Sequence, residues 1–278
     1  MRAITFVKYN DWVSTILGGD QIAAALRARG HDARCVSPEG LRDVRDAIVV
    51  FVKVSRWSDV LRARLRRNRT VLDVHDVLVF DGKIKHQRLF DGIIWRSRRQ
   101  FTDFGRTRQQ NRVILQHWDA RYGPNRLGGG RLAIGYFGNA NSFRLWGKVP
   151  GVDCVSIAAD AGNASFDRAR DYNCHVSVRE PGREHLYKPN VKVSTAAACE
   201  ANLITTRDEA TLDLLGADYP YYIDAPELPA LLAGIEKARA TFGGPEWREG
   251  LGRMREVRDK TSLAREIDAY LAYFAELG

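Results

Sequence analysis

Two lysines four residues apart, Lys188 and Lys192, flank Pro189 and Asn190 at the head of a run rich in alanine, residues 193–199. That run reads as a helix, and residues 202–206 after it read as a short apolar strand with a polar end. The first N–H groups of a helix lack intrahelical partners, and its dipole points the positive end there, so the site favours an anion. Two lysines at that point suit a phosphate. Arg179 follows an apolar strand over 174–178, at the carboxyl edge where open parallel sheets bind ligands. Gly18 and Gly19 end a loop over 10–20 and precede a helix over 21–29. Glycine lets backbone approach a ligand closely, so N–H groups there could meet a phosphate or an acceptor, or simply form a tight turn.

The elements that must position these residues alternate between apolar runs and amphipathic helices, the pattern of βαβ units and a parallel sheet. Strands are expected at 4–7, 33–36, 47–54, 70–74, 92–95 and 113–116, with a helix over 58–68 capped by Ser58. Residues 123–130 hold a proline and four glycines, which excludes regular structure and marks a boundary. The pattern then restarts, with strands at 132–136, 152–157, 174–178 and 221–223 and a helix over 229–240. The segment 262–277 places Leu263, Ile267, Tyr270, Leu271 and Phe274 on one helical face.

The run Lys188-Pro189-Asn190-Val191-Lys192 with its helix and strand resembles the donor-binding lobe of GT-B glycosyltransferases. Gly18-Gly19, the turn at Gly30-His31-Asp32, and the segment 113–119 ending in Asp119 resemble the opening and the lobe closure of that family. The departures are local. The family's turn glycine falls on Glu200 and its proline on Asn202, and the paired glutamates of many retaining members fall on Tyr187 and Thr195. The resemblance implies an α/β fold of two Rossmann-like lobes facing a cleft, with a C-terminal helix crossing back to the first lobe. Residues 1–123 would form the acceptor-side lobe, 124–246 the nucleotide-sugar lobe, and 247–278 helices packing back on the first. It also implies a metal-independent glycosyltransferase with no bound cofactor. A UDP- or GDP-linked sugar would pass to a glycan or lipid-linked acceptor in cell-surface polysaccharide synthesis. By the same resemblance Arg144 and Lys148 would touch the donor phosphates, together with Arg179, Lys188 and Lys192. Asp208 and Glu209 would either face the sugar or form the acidic first turn of a helix. For a base, the carboxyl ends of the first-lobe strands offer His75, Asp76 and Asp11, with His117 near the join.

Composition sets the bounds. The 278 residues carry a net charge of +9, which points to anionic partners: nucleotides, nucleic acid or an acidic membrane surface. The four cysteines have no metal-like spacing and fit a reducing cytoplasm. Asp73, His75 and Asp76 are close in sequence, but on a strand Asp76 points away from the other two, which weakens a metal reading. No apolar run reaches the length of a membrane span. Two basic stretches, at 62–69 and 83–112, the second including Arg96 and interleaved aromatics, suit an acidic membrane at its inner face, a lipid-linked acceptor or single-stranded nucleic acid. A non-catalytic glycan or nucleotide binder of the same fold, and a nucleic-acid-binding protein, are the competing readings. Against the last, the chain has neither a zinc-finger spacing nor an RRM signature.

Overall fold

The computed structural model describes residues 2–75, 86–157, 163–180 and 182–278, and the chain divides into two compact units. The first comprises Met1–His117, Tyr187–Pro189 and Leu263–Gly278; the second comprises Trp118–Leu186 and Asn190–Ser262.

In the first unit, strands β1 (Ile4–Val7), β2 (Ala33–Val36), β3 (Ile48–Val52), β4 (Arg69–Val74), β5 (Gly92–Trp95) and β6 (Gln110–Val113) form one parallel sheet in the order β2-β1-β3-β4-β5-β6. Every residue of β3 is buried, as its unbroken apolar run requires when both faces are covered. On one face, Ile22 and Leu26 of a helix pack with Ile267, Tyr270 and Phe274 of the terminal helix Leu263–Leu277. On the other, Val60 and Ala63 pack with Leu41, Phe51 and Phe90. Helices α1 (Val13–Thr15) and α2 (Ile22–Ala28) are joined through a wide π turn, Ile16–Gln21, so Gly18 and Gly19 lie inside a helical run and not in a loop before it. Helix α3 (Trp57–Leu65) has Arg56 at its N-cap, two residues earlier than the Ser58 cap expected, and α4 (Arg98–Phe104) is capped by the Ser97 hydroxyl.

In the second unit, β7 (Ile134–Gly138), β8 (Val152–Ser156), β9 (Cys174–Ser177), β10 (Asn202–Thr206) and β11 (Tyr222–Ile223) form a parallel sheet ordered β11-β10-β9-β7-β8. Its helices are α5 (Asn163–Arg168), α6 (Arg183–Tyr187), α7 (Val191–Ala198), α8 (Glu209–Leu215), α9 (Leu228–Thr241) and α10 (Pro245–Lys260). Tyr187, the last residue of α6, is counted with the first unit. Of residues 247–278, expected to return to the first lobe, Leu263–Gly278 are counted with the first unit and 247–262 with the second. Trp247, Met254 and Val257 of α10 join the core of the second unit, because that face packs on α7.

Helix α7 ends in a Schellman turn: the Glu200 N–H donates to Ala197 O and the Ala201 N–H to Ala196 O, both at 3.0 Å. Glu200 takes the left-handed conformation, φ 51°. The position where the family pattern has glycine therefore keeps glycine's backbone geometry without the residue. At the proline position, Asn202 is buried and donates to Trp247 O at 3.0 Å, which fastens α10 to the sheet.

Candidate functional site

Strand order fixes where a ligand can sit. In the second unit the chain runs from β7 to β8 on one side, then returns past β7 to β9 on the other. Such a reversal leaves a crevice at the carboxyl ends of the two central strands. Gly138 closes β7 there, and Arg179 lies just past the end of β9.

Lys192, in the first turn of α7, reaches into this crevice. Its Nζ donates to Phe137 O at 3.0 Å and lies 3.5 Å from the centroid of the Tyr136 ring. The side chain keeps some accessible surface, but desolvation, and then the charge of Arg179, push its pKa well below the usual lysine value. Among the described residues no carboxylate is paired with it. Burial also lowers the pKa of Arg179, with Asp208 opposing. Two basic groups thus share a desolvated crevice that disfavours their charged forms, and an anion entering it would favour them.

The surroundings point the same way. Gly138 has φ 154°, and a Cβ there would stand 2.7 Å from Lys192 Nζ and 3.1 Å from Tyr136 Oη. The backbone there favours glycine, and a Cβ would push the Lys192 amine aside. The Tyr136 hydroxyl, the Ser177 hydroxyl and Asn190 Oδ1 are buried without hydrogen-bond partners, a condition that usually marks a place for water or ligand. Beside Arg179 a cavity of about 340 Å³ opens, lined among others by His185, Thr206, Asp208, Glu209 and Asp224. Its size suits a nucleoside.

The remaining donor-side candidates are less engaged. Arg144 is exposed and pairs with Glu180 at 3.3 Å, and Lys148 is exposed. Asp208 caps α8, accepting from the Thr211 N–H at 2.9 Å, so the helix-turn reading holds while the residue also lines the cavity. Lys188 is half-buried and belongs to the first unit, whereas Lys192 belongs to the second.

In the first unit the strand order reverses at β1 and β3. His75 follows β4, buried, with Nε2 3.2 Å from Asp73 Oδ2 and Nδ1 without a partner. Arg96 grips Asp73 through Nε at 2.7 Å and Nη2 at 2.5 Å, and Tyr270 donates to the same carboxylate at 2.7 Å. Arg96 Nη1 meets Glu266 at 2.5 Å, and Glu266 receives the His117 N–H at 2.5 Å and Nδ1 at 2.6 Å. Burial alone would raise the pKa of Asp73 and Glu266. Arg96 and His75 together outweigh it for Asp73, and Arg96 and His117 together for Glu266, so both carboxyls are held low. Arg96 is thus wholly buried, not part of a basic surface as its stretch suggested. Nothing local in a chain rich in arginine signals this network, except that Arg96 directly follows a fully buried strand.

Gly18 serves the same centre. A Cβ there would lie 2.6 Å from His75 Nε2, and one at Gly19 would lie 2.9 Å from Cys35 Sγ. The glycines make room for side chains, and their mid-helix position removes the free N–H groups expected of a helix start. Asp11 is exposed and its carboxylate pairs with Lys8 at 2.6 Å. Asp76 lies outside the described residues. Among the described residues no group of His, Cys, Asp or Glu is placed to hold a metal ion, and no helix is long and apolar enough to cross a membrane.

Two parallel α/β units, with the terminal helix counted in the first, define the GT-B fold. Solved structures agree. HepE from Anabaena in complex with UDP and glucose superposes with a TM-score of 0.71 at 8% identity, covering 99% of this chain and 100% of that one. A glycosyltransferase from Rickettsia africae gives 0.70 at 11% identity, covering 99% and 98%, and sucrose-phosphate synthase from Thermosynechococcus elongatus gives 0.65 at 12%, covering 100% and 99%. No protein-family profile and no curated sequence matches the chain.

Proposed function

We propose that the protein is a glycosyltransferase that moves a sugar from a nucleoside diphosphate to a glycan or lipid-linked acceptor in cell-surface polysaccharide synthesis, at the cytoplasmic side. The observation that carries the reading is Lys192: a desolvated lysine amine beside Arg179 and Gly138, with no paired carboxylate among the described residues. A diphosphate supplies the missing negative charge. In transfer, an acceptor hydroxyl attacks the anomeric carbon, the bond to the diphosphate breaks, and Lys192 and Arg179 stabilise the charge on the leaving group. Lys188 would add to that field, with Arg144 and Lys148 reaching the phosphates from the loop after β7. The nucleoside occupies the cavity beside Arg179, where Asp208 and Glu209 offer acceptors for hydroxyls.

An inverting course needs a base. With Nε2 donating to Asp73, His75 presents Nδ1 as the basic atom, the arrangement that orients a catalytic histidine. His75 therefore stands ahead of Asp11, which pairs with Lys8, while Asp76 lies outside the described residues. UDP is the first nucleotide to try, because HepE was solved with it; GDP is the second. A binder without turnover is the second reading, favoured by Tyr187 and Thr195 at the two glutamate positions.

A thermal-shift screen against UDP, GDP, CMP, dTDP and their sugars tests the donor site, since a ligand of the native state must raise the Tm. A shift with one nucleotide supports the reading. No shift at millimolar concentration sinks it. Slow hydrolysis of the matching nucleotide-sugar then separates enzyme from binder.

A further inference from the structure

Most exposed large apolar side chains among the described residues of the first unit lie on one helix. Trp57, Leu61 and Leu65 recur at i, i+4 and i+8 on α3 and are 61%, 38% and 77% exposed. That spacing makes one stripe along the outer face, opposite Val60 and Ala63 in the core. Trp12 is 51% exposed, and Lys53 Nζ, in the segment that leads into α3, lies 4.5 Å from the centroid of its ring. Tyr9 ties the two segments together, donating to Asp59 at 2.7 Å and accepting the Arg56 N–H at 3.1 Å. Soluble surfaces scatter such side chains singly, and an aligned set of this kind marks an interaction surface.

The charge around the stripe selects the partner. Residues 53–69 hold seven lysines and arginines against one acid, the buried Asp59. Arg56, Arg62 and Arg64 flank the apolar side chains and are exposed, although Arg62 pairs with Asp59 at 3.2 Å and Arg64 with Asp91 at 2.8 Å. An apolar ridge bordered by arginines, with tryptophan at one end, matches the boundary between phosphate headgroups and acyl chains. The ridge begins beside the loops after β1 and β3, the carboxyl edge where the first unit's strand order reverses.

We propose that the outer face of α3, together with Trp12, docks on an anionic lipid bilayer. Trp57, Leu61 and Leu65 enter the headgroup layer, and the arginines pair with lipid phosphates. The end of the ridge nearest Trp12 then brings the carboxyl edge of the sheet to the lipid surface, where a lipid-linked acceptor would be met. The docking is independent of the nucleotide reading and can fail without it.

The test is co-sedimentation of the full chain, without nucleotide, with vesicles of phosphatidylcholine alone or mixed with phosphatidylglycerol. Binding to the anionic vesicles only, weakening with salt, is expected. The variant W57S/L61S/L65S, at exposed positions that leave the core intact, should lose at least about tenfold in partitioning. R56Q and R62Q should each lose about fivefold. UDP affinity should be unchanged in all of them. No binding to anionic vesicles, equal binding to neutral ones, or undiminished binding of the triple variant overturns the proposal. So does light scattering that shows the stripe holding two copies of the chain together.

Discussion

Replacing Lys192 with methionine should move binding and stability in opposite directions. Methionine keeps the length and apolar stem of the side chain but removes the ammonium. If that ammonium meets a phosphate, the lost charge-assisted hydrogen bond is worth about 1.5–3 kcal/mol, or roughly 10- to 150-fold in Kd. Stability responds differently. Burial and Arg179 lower the pKa, so the folded state holds this proton less well than the unfolded chain does, and each pH unit of depression costs about 1.4 kcal/mol. Methionine removes that cost. Against it stands Phe137 O, which loses its donor at 3.0 Å, a loss of about 1 kcal/mol. The variant should therefore melt no lower than the parent while binding UDP far more weakly. Titration calorimetry measures the first quantity and a thermal melt the second. UDP affinity within threefold of the parent would refute the assignment. A melt several degrees lower would show instead that Lys192 is a structural prop.

Because the free protein disfavours the Lys192 proton and a bound diphosphate favours it, UDP binding should take up a proton. Affinity should then fall as pH rises through the window between the lowered pKa and 10.5, by up to about tenfold per unit, and the binding heat should depend on the buffer's ionisation heat. Gly138→Ala should abolish UDP binding, because the new Cβ would meet Lys192 Nζ at 2.7 Å in a backbone region closed to alanine, and calorimetry reads this directly. Asp73→Asn should destabilise the first unit by about 3–5 kcal/mol by leaving Arg96 under-compensated. In the parent the depressed Asp73 carboxyl contributes stability that is complete above its unfolded pKa of 3.8 and is lost as pH falls below it, measurable by acid denaturation. Glu200→Gly should be neutral within about 0.5 kcal/mol, since relief at φ 51° offsets the lost pairing with Arg258. Glu200→Val should fall about 1–2 kcal/mol below it in chemical denaturation.

The sheets were legible because a parallel strand covered on both faces must be apolar throughout, and β3 shows this in its plainest form. The place of Lys192 in the first turn of α7 was legible too, because the alanine-rich run that follows it reads as a helix. Helix α10 was not placed correctly. Charged residues dominate its surface, and its buried face, Trp247, Gly250, Met254 and Val257, is too sparse to say which unit it covers. Gly18 and Gly19 misled in a different way. Glycine signals a need for space, and the sequence does not say whether ligand or side chain fills it; here His75 and Cys35 do. The Asp73–Arg96–Glu266 centre depends on residues far apart in the chain, so no window of sequence could reveal it.

That centre also orders events during synthesis. A ribosome delivers all six strands of the first sheet long before Glu266 and Tyr270 emerge. Until they do, Arg96 lacks two of its partners, and Ile4, Phe6, Val50 and Ile94 lack the helix that covers them. The second unit needs nothing beyond Ser262 and can close first. The half of the protein made first is thus completed last, and in the interval its apolar face is open to chaperones or to other nascent chains.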